Sequence, residues 1–138
     1  MNRKIFAIAW FALATGAAGG AQSANDSWVG IWHANVGARP TSLLTLATDT
    51  GKLGGTLVLD MLCCDGDQTP HVIASDPHLL MDPVADGKTL TFRVRMHRPD
   101  GANVIASFEV KRTAPGKATI HCVSCGADAP VVELVKGP

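Results

Sequence analysis

Four cysteines are the side chains best suited to chemistry in this 138-residue chain, and they fall in two close pairs. Cys63 stands beside Cys64, and Cys122 and Cys125 form a Cys-x-x-Cys spacing. An even number of thiols in an oxidising compartment favours disulfides. Three pairings are possible, and the one that joins the neighbours Cys63 and Cys64 forces a strained eight-membered ring, so bridges between the two pairs are expected. A Cys64–Cys122 bridge would close a loop of about 59 residues and contribute on the order of 4 kcal/mol. The alternatives are a Cys122–Cys125 bond that leaves two unpaired thiols, and metal or redox use. Cys122-Val123-Ser124-Cys125 leaves a strand rather than opening a helix, so it lacks the field that lowers thiol pKa values, and no thioredoxin-like role is expected. His97 and His121 are the imidazoles that would join the thiols around zinc or copper, but the spacing matches no finger or ribbon, and His121 alternates outward between Ile120 and Cys122.

Other candidate groups lack the spacing that chemistry needs. Ser75-Asp76-Pro77-His78 holds the atoms of an acid–base pair, yet Asp-Pro is a turn former and the His reads as a loop residue. Asp65 and Asp67 flank Gly66 like the start of a calcium loop without its later ligands, so they too read as turn formers. No catalytic residue is assigned, and no cofactor is implied. Enzymatic activity stays open, because a scaffold can host chemistry that spacing does not reveal.

The elements that must position these groups belong to one domain. Hydrophobic residues make up 46% and charged residues 17%, the balance of a packed globular chain. Twelve basic residues match twelve acidic ones, which removes the charge footprint expected of a nucleic-acid or anionic-surface binder. At the N-terminus, Arg3 and Lys4 precede an apolar run from Ile5 to Ala14, followed by small residues through Gly20. This pattern reads as a secretory signal over residues 1–23, cleaved after Ser23, with Ala24 as a near alternative. The run falls short of the ~20 residues that span a bilayer, so stable membrane insertion is not expected once it is removed. An exported domain over residues 24–138, periplasmic or secreted, follows.

Beyond the leader, the apolar pattern has period two and is interrupted by turn signals every eight to fifteen residues, which predicts antiparallel strands with few helices. Leu90, Phe92, Val94 and Met96 fall on one face while Thr91, Arg93 and Arg95 fall on the other. Val104, Ala106, Phe108 and Val110 repeat the alternation, as do Leu57, Leu59 and Met61. Eight strands are expected, near 29–36, 41–48, 53–62, 79–84, 88–97, 103–112, 117–122 and 130–135. Successive loops then alternate between two ends. One end carries tight Gly turns at 49–52, 85–88 and 114–116, and the other carries the longer loops 37–40, 63–78, 97–101 and 123–129, so that both cysteine pairs fall on this open rim, Cys122 at the end of a strand and the other three in loops. Eight such strands escape exposed edges by closing into an up-and-down barrel, with a two-sheet sandwich as the competitor.

Gly30-Ile31-Trp32 on the first strand, and Lys52-Leu53-Gly54-Gly55-Thr56-Leu57 after a turn, resemble the opening hairpins of lipocalins, avidins and related calycin barrels. The resemblance implies that Trp32 plugs the closed end and that Gly30 allows close backbone approach beside it. Where lipocalins bring an Arg from the last strands over this Trp, the last strand here offers only Lys136. The absence of Tyr, with Trp28 and Trp32 as the Trp residues beyond the leader, speaks against biotin binding. The inward faces are lined by Leu44, Leu46, Leu57, Leu59, Leu90, Phe92, Val94, Val104, Ala106, Phe108, Ala118 and Ile120, and a pocket among Leu57, Leu59, Leu90, Phe92, Val94 and Phe108 would take a small apolar or amphipathic ligand. The function expected is therefore ligand binding. The alternatives are an enzyme or metal site using His and Cys at the open rim, and a filled barrel that serves as a protein-interaction module. The sequence carries no signal for oligomeric state.

Overall fold

A computed structural model describes residues 19–36, 39–63, 71–98 and 100–138. Residues 1–18, the core of the expected signal, lie outside it, as do Gly37, Ala38, Cys64 and the Asp65–Asp67 turn. Among the described residues there is one helix, α1 (Gly19–Trp28), followed by nine strands. These are β1 (Gly30–Val36), β2 (Arg39–Asp49), β3 (Lys52–Cys63), β4 (His71–Leu79), β5 (Met81–Ala85), β6 (Thr89–His97), β7 (Asn103–Ala114), β8 (Lys117–Cys122) and β9 (Val131–Lys136). All neighbours pair antiparallel in the order β4-β3-β2-β1-β9-β8-β7-β6-β5, and the sheet curls into a nearly closed up-and-down barrel.

The strand count corrects the expected eight. The stretch read as a long loop from Cys63 to His78 contains β4, and the expected strand at 79–84 is β5. The two run on through the single residue Leu80, so β4 and β5 form one stave, paired first with β3 and then with β6. The alternation of loops between the two ends therefore stands. Asp76-Pro77 does not turn the chain because β4 is an edge of the hydrogen-bonded sheet, where the missing proline N–H costs little. At the bend, the Leu80 amide donates to the Gly55 carbonyl at 3.0 Å. A Cβ on Gly55 would stand 2.0 Å from the Thr45 carbonyl oxygen, so β2 and β3 can approach this closely only at a glycine.

Within β5, Asp82 adopts a positive φ of 49°, and the pairing with β6 shifts register between Met81 and Val84. Toward the open end, the ladder stops at Met81↔Arg93. Across the remaining gap, the ring of buried His78 donates from Nδ1 to the Arg95 carbonyl at 2.8 Å, and its Nε2 lies 3.3 Å from the Asp76 carboxylate. A side chain thus supplies a cross-seam bond where Pro77 has no amide to offer.

The closed end is tied by tight turns at Thr50-Gly51, Gly87 and Gly116, each with positive φ. In the β5–β6 turn the Asp86 carboxylate accepts the amides of Thr89 at 2.7 Å and Lys88 at 3.0 Å. These bonds, Thr89 first, hold its carboxyl below the usual carboxylate range. Helix α1 lies against β2 on one side and β5 on the other, so it caps this end.

Below the cavity, Trp28 and Trp32 are both fully buried, with ring centroids 5.6 Å apart. Trp32 Nε1 donates to the Trp28 carbonyl at 3.0 Å. Arg112 lies 4.4 Å above the Trp28 ring and donates to the Ser27 carbonyl at 2.8 Å. Lys136 Nζ lies 5.5 Å from the Trp32 ring, so the last strand does bring a cation to this tryptophan, but as lysine. Gly30 makes room for it: its φ is +133°, and a Cβ there would sit 2.7 Å from Lys136 Cε.

Two outcomes test this closure. Trp32→Ala is expected to destabilise the chain by about 3–5 kcal/mol in urea unfolding, and a parental melting curve would contradict a sealed base. His78→Leu keeps the volume apolar but strands the Arg95 carbonyl. It is expected to cost about 1–2 kcal/mol and to speed exchange of the Leu80 amide, whereas unchanged exchange would mean that the seam does not depend on His78.

Candidate functional site

The inner face narrows from an open rim to the packed base. Leu90, Phe92 and Val94 on β6, expected as pocket residues, are buried in the core and stand outside the lining of the cavity. Register explains part of this. Phe92 sits opposite Phe108 and Phe108 opposite Cys122, so the Phe92 ring stacks beneath its neighbour at 5.6 Å rather than on the free surface. Val104, placed inward by alternation, is 38% exposed because it stands at the rim, where the wall ends.

Above this core lies a cavity of about 460 Å³. Leu57 and Leu59 from β3 form one wall, Met96, Phe108 and Ile120 form another, and Val132 and Leu134 come from the last strand. Leu57, Leu59 and Phe108 are thus the expected pocket residues that the fold brings together. Cys122 at the end of β8 and the β8–β9 loop, through Cys125, Asp128, Ala129 and Pro130, supply the remainder. Asp128 is the charged side chain among the lining residues. The β9 contribution was legible in principle, since Val132 and Leu134 alternate with exposed Val131 and Glu133 in their burial. The loop contribution had no periodic signal, because Cys122 to Pro130 turns twice, with the Cys125 amide on the Cys122 carbonyl and the Ala129 amide on that of Gly126.

The cysteines differ from expectation. Cys122 is bonded to Cys125, with Cα atoms 5.4 Å apart, in place of crossed bridges to the other pair. The physical reason is topological. β3 and β8 are separated by three strands, β2, β1 and β9, whereas the turn after β8 folds Cys125 directly back onto Cys122. Cys63 is the last residue of β3, and Cys64 lies outside the described residues.

The histidines divide. His97 is exposed at the end of β6, His121 is half-buried on β8 opposite Glu109, and His78, expected in a loop, is buried on β4. His78 and His97 share a shallow depression outside the seam with Asp76 and Arg95. Among the described residues no three His, Cys, Asp or Glu side chains come together to hold a metal ion. Ser75-Asp76-Pro77-His78 lies within β4, and its His is committed to the Arg95 carbonyl rather than to Ser75.

The arrangement can enclose apolar surface and offers its one lining carboxylate at the rim. No family model matches the chain, and no curated protein or solved structure matches it either.

Proposed function

We propose that this chain is an exported, calycin-type barrel that binds one small apolar or amphipathic molecule in the cavity at its open end. The observation that carries the reading is the cavity itself: about 460 Å³ of space walled by aliphatic and aromatic side chains above a sealed base, within the range of small-ligand sites. Affinity would come from apolar area removed from water, at roughly 25 cal/mol per Å², with Asp128 at the edge to meet a polar end. The resemblance of Gly30-Ile31-Trp32 to the calycin opening supports the same reading, as does the cation over each tryptophan.

The test is uptake of a naphthalene-sulfonate fluorescent probe. The parent is expected to bind it, and Ala129→Trp, which fills the cavity from its loop without overpacking the core, is expected to weaken binding about tenfold or more. Arg95→Ala, on the outer face, is expected to leave affinity within about twofold. No uptake by the parent, or equal sensitivity of both positions, would overturn the reading.

Export rests on the leader pattern, and cleavage after Ser23 would leave the contacts of Asn25 and Ser27 in place. Asn25 Nδ2 donates to the Gly51 carbonyl at 3.2 Å, Ser27 Oγ to the Ala24 carbonyl at 2.7 Å, and Arg112 to Ser27. Each of these uses residues that a chain starting at Ala24 would keep. N-terminal sequencing of the exported protein is expected to begin at Ala24, and recovery of intact Met1 from the exported fraction would contradict it.

A further inference from the structure

The Cys122–Cys125 bond is poorly placed to act as a staple. It encloses only Val123 and Ser124, and the chain-entropy stabilisation of a crosslink grows with the length of loop enclosed, so this one constrains little. Nor does it join separate elements, since the β7–β8 and β8–β9 ladders are complete without it. The turn is held independently. The Val123 amide donates to the Ser107 carbonyl at 2.8 Å, the Ser107 amide donates to Ser124 Oγ at 2.8 Å, and the Cys125 amide reaches the Cys122 carbonyl at 3.4 Å. Opening the bond would leave both sulfurs where they are, ready to close again.

The two sulfurs are also unequal. Both cysteines line the cavity, but Cys122, the last residue of β8, is buried, whereas Cys125 is exposed in the turn. Ser124 Oγ lies 3.9 Å from Cys122 Sγ. A disulfide sulfur carries no proton and the Ser107 amide occupies a lone pair of the hydroxyl, so the hydroxyl hydrogen is the one free to point at Cys122.

We propose that Cys122–Cys125 is an exchangeable disulfide, a site of modification by low-molecular-weight thiols, with Cys125 as the sulfur attacked and Cys122 as the leaving group. In the first step a thiolate attacks Cys125 Sγ. A new S–S bond forms there, the Cys122–Cys125 bond breaks, and its electron pair goes to Cys122 Sγ, which the Ser124 hydroxyl stabilises as thiolate until solvent protonates it. A second thiolate attacking the mixed disulfide releases Cys125 as thiolate and carries away the oxidised thiol dimer. The protein gains two electrons and two protons, and two external thiols lose them. Ser124 acts through Cys122 and is a positioning residue. The proposal stands whether or not the cavity holds a ligand.

The test uses the full folded chain in glutathione buffers, quenched with acid, alkylated and mapped by peptide mass spectrometry, so that Cys122 and Cys125 are read separately from Cys63 and Cys64. The expected result is glutathione on Cys125 with Cys122 alkylated, and reclosure when glutathione is removed. Ser124→Ala is expected to slow adduct formation by about three- to tenfold, with Ser124→Thr restoring it. The Cys122→Ser/Cys125→Ser double variant is expected to melt within about 5 °C of the parent. The proposal is overturned by a bond that resists glutathione until the chain is denatured, by an adduct on Cys122, by a Thr variant as slow as the Ala variant, or by collapse of the double variant's melting temperature.

Discussion

A β-sheet becomes a barrel only when its two edges meet, and in this chain one segment, His71 to Ala85, pairs with both. Its first half pairs with β3, its second with β6, and the change of partner happens at Leu80 over Gly55. Everything at the two ends follows from that closure. Without it the inner face would be one side of an open sheet, with two exposed edges and no interior. The change of partner also has a local cost, since neither neighbour is paired along the whole stave. The two prolines Pro77 and Pro83, the positive φ of Asp82 and a histidine bonding across the seam all fall within this one segment.

Closure makes a tube, and the base makes it a vessel. Two buried tryptophans fill the narrow end, each under a cation from a different strand, while α1 spans from β2 to β5 beneath them. Trp28 Nε1 and Arg112 Nε are buried without hydrogen-bond partners, so this contact rests on stacking of the guanidinium over the ring together with its bond to the Ser27 carbonyl. With the base filled, unfilled volume is left toward the rim, where the wall includes a loop instead of a strand. The lining there is shared between rigid strand positions and the β8–β9 turn, and for that reason the chemistry of the Cys122–Cys125 bond bears on the same rim.

How much was legible in the sequence follows from what each residue's pattern depends on. β6 and β7 could be read residue by residue because one face is buried and the other wet, so Leu90, Phe92 and Val94 alternate cleanly with Thr91, Arg93 and Arg95. The same alternation, carried one step past Val110, reaches Arg112 and would have placed that cation at the base. β4 was hidden because its inward residue His78 is polar and Asp76-Pro77 carries the chemistry of a turn; only the edge position makes that proline tolerable. The disulfide is not legible from cysteine parity because parity leaves the pairing open, whereas a four-residue turn supplies the right separation locally. Which inward residues face free volume and which face one another depends on registers across several strands, and no single strand's pattern contains it.

The proposed reading places a small apolar molecule in the cavity above a base filled by Trp28 and Trp32. Native mass spectrometry of the protein recovered from its own host, without organic solvent, measures this most directly. The account predicts one stoichiometric mass excess from a small organic molecule, released by organic extraction and absent from the denatured chain. A bare polypeptide mass, with no molecule recovered in the extract, would contradict it.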